Sequence, residues 1–457
     1  MTAEAALARP GEIDAIWREH AVPGVAVGMI ADGEEWIHGF GVTNVEHPLP
    51  VDGDTLFQIG SITKTFTATA LMRLVERGTV SLDAPVRAYL PDLRLADEDV
   101  ATRVTLRHLL THRGGWFGDF FEDTGANDDA LALYVARLHT LEQMTPLGAL
   151  WSYSNSGFAL AARVLEVATG GTAEDALTDL VLQPLGMSHS FFFARDAITH
   201  RVAAGHFVYD DGTRVARPWF IPRNAHAIGG LVSSARDMLK YARFHQSDGR
   251  APDGTRLLSL ESLRLMRSPQ AKGALDLHAG IGWSLREIGD VTMAAHTGGT
   301  IGQQALLALV PARSFALVVL TNSGHGALVH QAVQTWSLAA RLGIVLPEPK
   351  HETRTADELV GYAGVYESPG NRIEVGADNG ALVLTSETKV ALAKEFERKP
   401  PPLPPARATF CGTERILVLD GPTRNTQGEF LRDDAGAIRW LRIGGRVHRR
   451  MGSSVSR

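Results

Sequence analysis

FQIGSITKTFTATALMRLVERG, residues 57–78, places Ser61 one helical turn before Lys64 at the head of an apolar helix. Three residues apart on a helix, the two side chains share a face, and a serine hydroxyl becomes a competent nucleophile only beside such a base. Gly60 permits a tight entry from the strand-like LFQI. The unpaired N–H groups at a helix start can stabilise an oxyanion where Ser61 sits. Phe66, Ala70, Leu71, Leu74 and Val75 then make the helix largely apolar, and Gly78 is placed to end it. S-x-x-K is a short pattern, and an N-cap would equally account for Ser61.

The remainder of the chain supplies context. At 457 residues it exceeds most single cores, so two domains are expected. Its 44% hydrophobic and 21% charged residues describe an ordinary globular protein. A net charge of -6 with no basic stripe argues against nucleic acid or an acidic membrane surface as partner. Cys411 is the single cysteine, so no internal disulfide forms, and the 17 histidines lack metal-site spacing, with no HExxH. No metal and no cofactor are expected. The N-terminal MTAEAALARPGEIDAIWREH has no apolar run long enough for a signal segment, which predicts a cytoplasmic protein.

GVAVGMIADGEEWIHGFG reads as two strands joined at Asp32-Gly33. Helical patterns dominate from 61 to about 245: 61–77, a segment around 104–112, 129–140, and 156–169 stopped by Gly170-Gly171. Sheet character returns in 291–296, 304–310 and 315–322, and a helix over 331–343 packs on it. Strands at both ends with helices between them predict an α+β fold with one antiparallel sheet. The polar, proline-bearing 347–356 is a linker separating residues 1–346 from 357–457. That second region, with runs such as RIEVG, ALVLTS, RILVLDG and IRWLRIG, reads as a small all-β barrel, and KPPPLPPAR (399–407) as an exposed loop within it.

Two further segments join the Ser61–Lys64 pair. In WSYSNSGFALAARVLEVATGG, Tyr153 can relay a proton if its phenol lies against Lys64, and Asn155 can cap the following helix or present its amide to a substrate carbonyl. In AAHTGGTIGQQ, His296-Thr297-Gly298-Gly299 ends an apolar strand, where the Gly299 N–H could complete an oxyanion hole with that of Ser61.

SITK, YSN and HTG, in this order and spacing, resemble the motifs of the penicillin-recognising serine hydrolases, the branch of class C β-lactamases and D,D-peptidases. LLTHRGG (109–115), PLGM (184–187) and GGLVSSARDM (229–238) extend the resemblance over about residues 10 to 345. It implies a β-lactamase/transpeptidase-like domain with a five-stranded sheet against a helical lobe, and a C-terminal barrel similar to the lipocalin-like domain of some relatives. Ser61 would be the nucleophile, Lys64 and Tyr153 the proton-handling pair, Asn155, His296, Thr297 and Gly298 substrate contacts, and Ser61 and Gly299 the oxyanion donors. Which of Lys64 and Tyr153 is the base stays open.

His296 departs from the lysine of typical β-lactamases. With an ordinary pKa near 6.5 it is a weak carboxylate anchor at pH 7, and it predicts an activity change between about pH 5 and 8. The expected function is a serine hydrolase or acyltransferase forming an acyl-Ser61 intermediate from an amide, ester or thioester, with a D-residue peptide as candidate substrate. Alternatives are a thioesterase of penicillin-binding-protein type that releases and cyclises a biosynthetic peptide, a β-lactamase or D,D-carboxypeptidase, and a non-catalytic binding module. The aromatic residues Trp116, Phe117, Phe120, Phe121 and Trp151 are candidates for an apolar pocket or for the core.

Overall fold

GVAVGMIA, QQALLALV and FALVVLT are apolar at nearly every position, which a strand tolerates only when both faces of its sheet are covered. The computed structural model, which describes residues 10–452 apart from 32, 379, 390–402 and 422, shows how they are covered. Strands β1 (Gly24–Ala31), β2 (Glu34–Gly41), β3 (Ala271–Lys272), β4 (Leu277–Ala279), β5 (Ser284–Ile288), β6 (Val291–Thr300), β7 (Gln303–Val310) and β8 (Phe315–Thr321) form one antiparallel sheet. Its order is β2-β1-β8-β7-β6-β5-β4-β3.

Because successive side chains point to opposite faces, Ala26, Ile30, Leu307, Val318 and Leu320 enter one core. Val25, Val27, Met29, Leu306, Leu317 and Val319 enter the other. Helices α1 (Pro10–Glu19) and α5 (Gly326–Leu342) cover the second face through Ile13, Val329, Val333 and Leu338. The first face packs on α4 (Ala235–Gln246) and, beyond it, on a helical lobe built around α2 (Thr63–Glu76) and α3 (Asn155–Thr169). α3 ends at Gly170 with φ +74°, the left-handed cap that glycine adopts without cost.

The sheet has eight strands where the resemblance implies five, because short segments continue it beyond β6. Bridges of two or three residues, as in β3 and β4, carry little sequence signal.

After α5 the chain runs without regular elements to the helix Ala356–Val360, with Glu352 N–H donating to the Phe410 carbonyl at 2.7 Å. Strands β9 (Gly364–Glu367), β10 (Asn371–Asp378), β11 (Ala381–Thr388), β12 (Ala406–Phe410), β13 (Arg415–Val418), β14 (Gln427–Arg432), β15 (Ile438–Ile443) and β16 (Arg446–Arg450) follow. They close as an up-and-down barrel, β16 pairing with β9. Tyr366, Phe410, Phe430 and Leu441 fill it. Ala406 and Arg407, read above as the end of a loop, belong to β12, and 399–402 lie outside the described residues.

The barrel is fastened to the first domain at its β14–β16 side. Arg442, itself buried, donates to the Trp151 carbonyl at 2.6 Å and the Gly273 carbonyl at 3.0 Å, and forms a buried ion pair with Glu429 at 2.7 Å. Tyr153 N–H donates to the Gly445 carbonyl at 2.9 Å. The turn between β15 and β16 therefore reaches the segment that carries the tyrosine.

Candidate active site

Residues Gly60–Ile62 form a single 3₁₀ turn, and α2 continues from Thr63, so Ser61 sits just ahead of the α-helix rather than within it. Lys64 Nζ lies 3.1 Å from Ser61 Oγ and donates to the Ile228 carbonyl at 2.7 Å. That carbonyl is held in turn: the one-turn helix His226–Gly229 is tied to α2 by Thr67 Oγ1 donating to the Ala227 carbonyl, and to Glu174 by His226 at 2.8 Å.

Two glycines allow β6 to close on this turn. Gly60 has φ +54°, and a Cβ there would stand 2.6 Å from the Gly299 nitrogen. A Cβ on Gly298 would stand 1.8 Å from the Ile59 carbonyl oxygen. Any side chain at either position would push the strand from the nucleophile. The backbones of Ser61 and Gly299 are thereby adjacent. His296 and Gly298 are buried, while Thr297 and Gly299, at the alternate positions, are exposed.

Tyr153 comes from the other side. Its ring lies tilted against His112, centroids 4.4 Å apart, and Lys64 Nζ is 5.2 Å from its centroid. The Tyr153 hydroxyl is covered and makes no hydrogen bond of good geometry, although the Ser61 hydroxyl is near enough to favour the phenolate. Burial outweighs that influence and holds the phenol pKa above its ordinary value. Lys64 moves the opposite way. Complete burial, followed by the positive charge of Arg446, holds its pKa well below the ordinary lysine value, with Asp119 pulling back.

Asn155 does not cap α3. Ser154 does so, accepting from Gly157 N–H at 2.9 Å, and Asn155 Nδ2 donates to Asp119 Oδ1 at 2.8 Å. Asp119 also receives Arg446, whose guanidinium lies 4.5 Å from the Tyr153 ring centroid.

His296 corrects the expected pH dependence. Burial, then the neighbouring Lys64, lowers its pKa to about 4. Its Nδ1 faces the Thr297 carbonyl at 2.7 Å, and because a carbonyl only accepts, Nδ1 carries the proton and Nε2 offers a lone pair. It is a neutral side chain throughout pH 5–8, so no activity limb from His296 is expected in that window. The imidazoles of His112, His245 and His330 are depressed by burial as well. Each is neutral when folded, while the unfolded chain takes up protons near pH 6.5, so stability is expected to be full above that value and to fall as pH drops toward 4. A melting temperature that holds constant from pH 7 to 4 would contradict this.

Ser61, Lys64, Tyr153, Asn155, His296 and Gly299 thus converge. Of the aromatic residues, Trp116 and Trp151 are buried, Trp151 beneath Arg442, Phe117 approaches the barrel at Gly370, and Phe121 is 61% exposed. Sequence reasoning missed Asp119, Arg446 and the packing role of His112. The only signal for Arg446 is a Gly-Gly turn before a basic strand, which any hairpin could carry.

Comparison with known proteins identifies the family of the fold. A family profile described as Beta-lactamase matches residues 11–340. Penicillin-binding protein 4 of Amycolatopsis lactamdurans is 37% identical over 369 residues, covering 78% of this chain and 96% of its own. The crystal structure of SurE superposes with a TM-score of 0.76 at 26% identity, covering 96% of this chain and 98% of that one, and SurE with D-Leu gives 0.74. D-amino acid amidase from Ochrobactrum anthropi SV3, complexed with D-phenylalanine, gives 0.59 at 25% identity, over 71% of this chain and 98% of that chain. Matched by that profile over most of its length, and more than a third identical to such a relative, the chain belongs to the β-lactamase family of serine hydrolases.

Proposed function

We propose that this protein acylates Ser61 with a peptidyl or D-aminoacyl amide, ester or thioester and passes the acyl group to water or an amine. The observation that carries the reading is Lys64, an amine stripped of water whose N–H is spent on the Ile228 carbonyl while it lies 3.1 Å from Ser61 Oγ. A buried lysine whose pKa is depressed gives up its proton more readily than an exposed one, and as the free amine it takes the Ser61 proton when the hydroxyl attacks. Tyr153, held as a phenol, gives a proton to the departing group. The N–H groups of Ser61 and Gly299 receive the oxyanion. D-Leu and D-phenylalanine in the solved structures of SurE and the amidase support a D-residue at the acyl position. A β-lactamase reading is less favoured, because neutral His296 offers a substrate carboxylate no charge.

The test is labelling with a fluorophosphonate, read by intact mass and peptide mapping. A stoichiometric adduct on Ser61 is expected, absent in Ser61→Ala, and the product masses from p-nitrophenyl esters, D-amino-acid amides and peptidyl thioesters then separate hydrolysis from transfer. A folded protein that takes no label would overturn the reading.

A further inference from the structure

Glu174 and His226 belong to none of the three motifs, yet they anchor the segment that gives Lys64 its acceptor. Both are buried. His226 Nδ1 lies 2.8 Å from Glu174 Oε1, and since a carboxylate only accepts, Nδ1 carries the proton. Arg223 completes the anchor: its Nε donates to the same Glu174 oxygen at 3.2 Å, and its Nη2 pairs with Asp128 at 2.6 Å. The rings of Phe192 and Phe193 flank the imidazole, with centroids 6.3 and 5.3 Å away. From His226 the chain runs as a strap along α2. Thr67 Oγ1 donates to the Ala227 carbonyl at 2.5 Å, Lys64 Nζ to the Ile228 carbonyl at 2.7 Å, and Leu231 N–H to Thr63 Oγ1 at 3.2 Å. Spaced by three and four residues, Thr63, Lys64 and Thr67 share one face of the helix.

A free lysine amine has two N–H bonds and one lone pair. When the Ile228 carbonyl takes one N–H, the direction left to the lone pair narrows, and Ser61 Oγ stands 3.1 Å from the nitrogen. A carbonyl also holds an ammonium more strongly than an amine, so it opposes the burial and the Arg446 charge that draw the proton off Lys64. We infer that His226, held by Glu174, is a positioning residue for the general base: through the strap it fixes the Ile228 carbonyl, and so aims the Lys64 lone pair at Ser61 Oγ. The inference rests on Lys64 acting as the base in acylation of Ser61. The charged and titratable groups around Lys64 itself are Tyr153, His112, His296, Arg446 and Asp119, and substitutions at 226 or 67 alter none of them.

The experiment measures the rate of fluorophosphonate labelling of Ser61 against pH in the full chain. In the unmodified protein the rate is expected to rise with pH to a plateau as Lys64 loses its proton. His226→Leu leaves Glu174 paired with Arg223, and Thr67→Val keeps the shape of the threonine while removing its hydroxyl. In both, the plateau rate is expected to fall about tenfold or more. The rising limb is expected to move toward lower pH by about half to one unit, the worth of one hydrogen bond to the ammonium. His226→Asn, whose Nδ2 takes the place of Nδ1, and Thr67→Ser are expected to recover both. An unchanged limb in His226→Leu overturns the inference, whether the plateau falls or only the melting temperature and the labelled fraction do, since a merely structural contact moves no limb. Failure of both conservative variants to recover the profile, or a flat profile in an unmodified protein that still labels, overturns it too. Should His226→Leu fail to fold, Thr67→Val and Thr67→Ser decide. An unmodified protein that takes no label would instead remove the acyl-enzyme reading and this one with it.

Discussion

Lys64→Met is expected to lower kcat/KM by roughly 10²–10⁴-fold, the range a positioned general base contributes, and to slow fluorophosphonate labelling of Ser61 in step. Methionine fills the buried space of the lysine stem, so the main structural loss is the hydrogen bond to the Ile228 carbonyl. Tyr153→Phe separates the two proton-handling groups. If Lys64 is the base, kcat/KM of the unmodified enzyme rises with pH through the depressed lysine pKa. The phenylalanine variant would then be slower yet keep that acid limb, because the group that titrates is still present. Disappearance of the limb in Tyr153→Phe, with Lys64→Met labelling at the normal rate, would transfer the base to the tyrosine.

The second large effect belongs to the joint between the domains. Arg442→Met leaves Glu429 buried with its charge unpaired, and removing one partner of a buried pair costs about 3–5 kcal/mol. Glu429 keeps the Leu275 N–H at 2.5 Å, too little to replace a guanidinium. The same substitution frees the Trp151 and Gly273 carbonyls, so kcat is expected to fall along with the melting temperature. Arg442→Met with Glu429→Gln removes the stranded charge and is expected to recover most of the stability but not the activity. A single variant that melts and turns over normally would show that the barrel does not depend on this contact.

Much of this architecture was legible in the chain because its signals are local. Ser61 and Lys64 are one turn apart, and any helix beginning near Gly60 brings them together. The sheet strands announced themselves by unbroken apolar runs, and α3 by its terminal glycine. The pH dependence expected of His296 differs from what the structure shows, since a sequence shows the imidazole and not the burial that lowers its pKa. Asn155 looked like a cap, yet Ser154 took that role because its side chain is the one beside the Gly157 N–H. Asp119 carries no signal and Arg446 only the one any hairpin could carry, because their significance is a contact made when two separately encoded domains dock.

That contact also sets an order of events. Chains fold from the N-terminus as they are made, domain by domain, and residue 446 emerges long after the strands and helices around Ser61 can pack. Until the β15–β16 turn arrives, Lys64 lacks the nearby positive charge that helps hold its pKa down, and Tyr153 lacks the Gly445 carbonyl that fixes its backbone. The surroundings of the nucleophile are thus complete only when the last strand of the chain is in place.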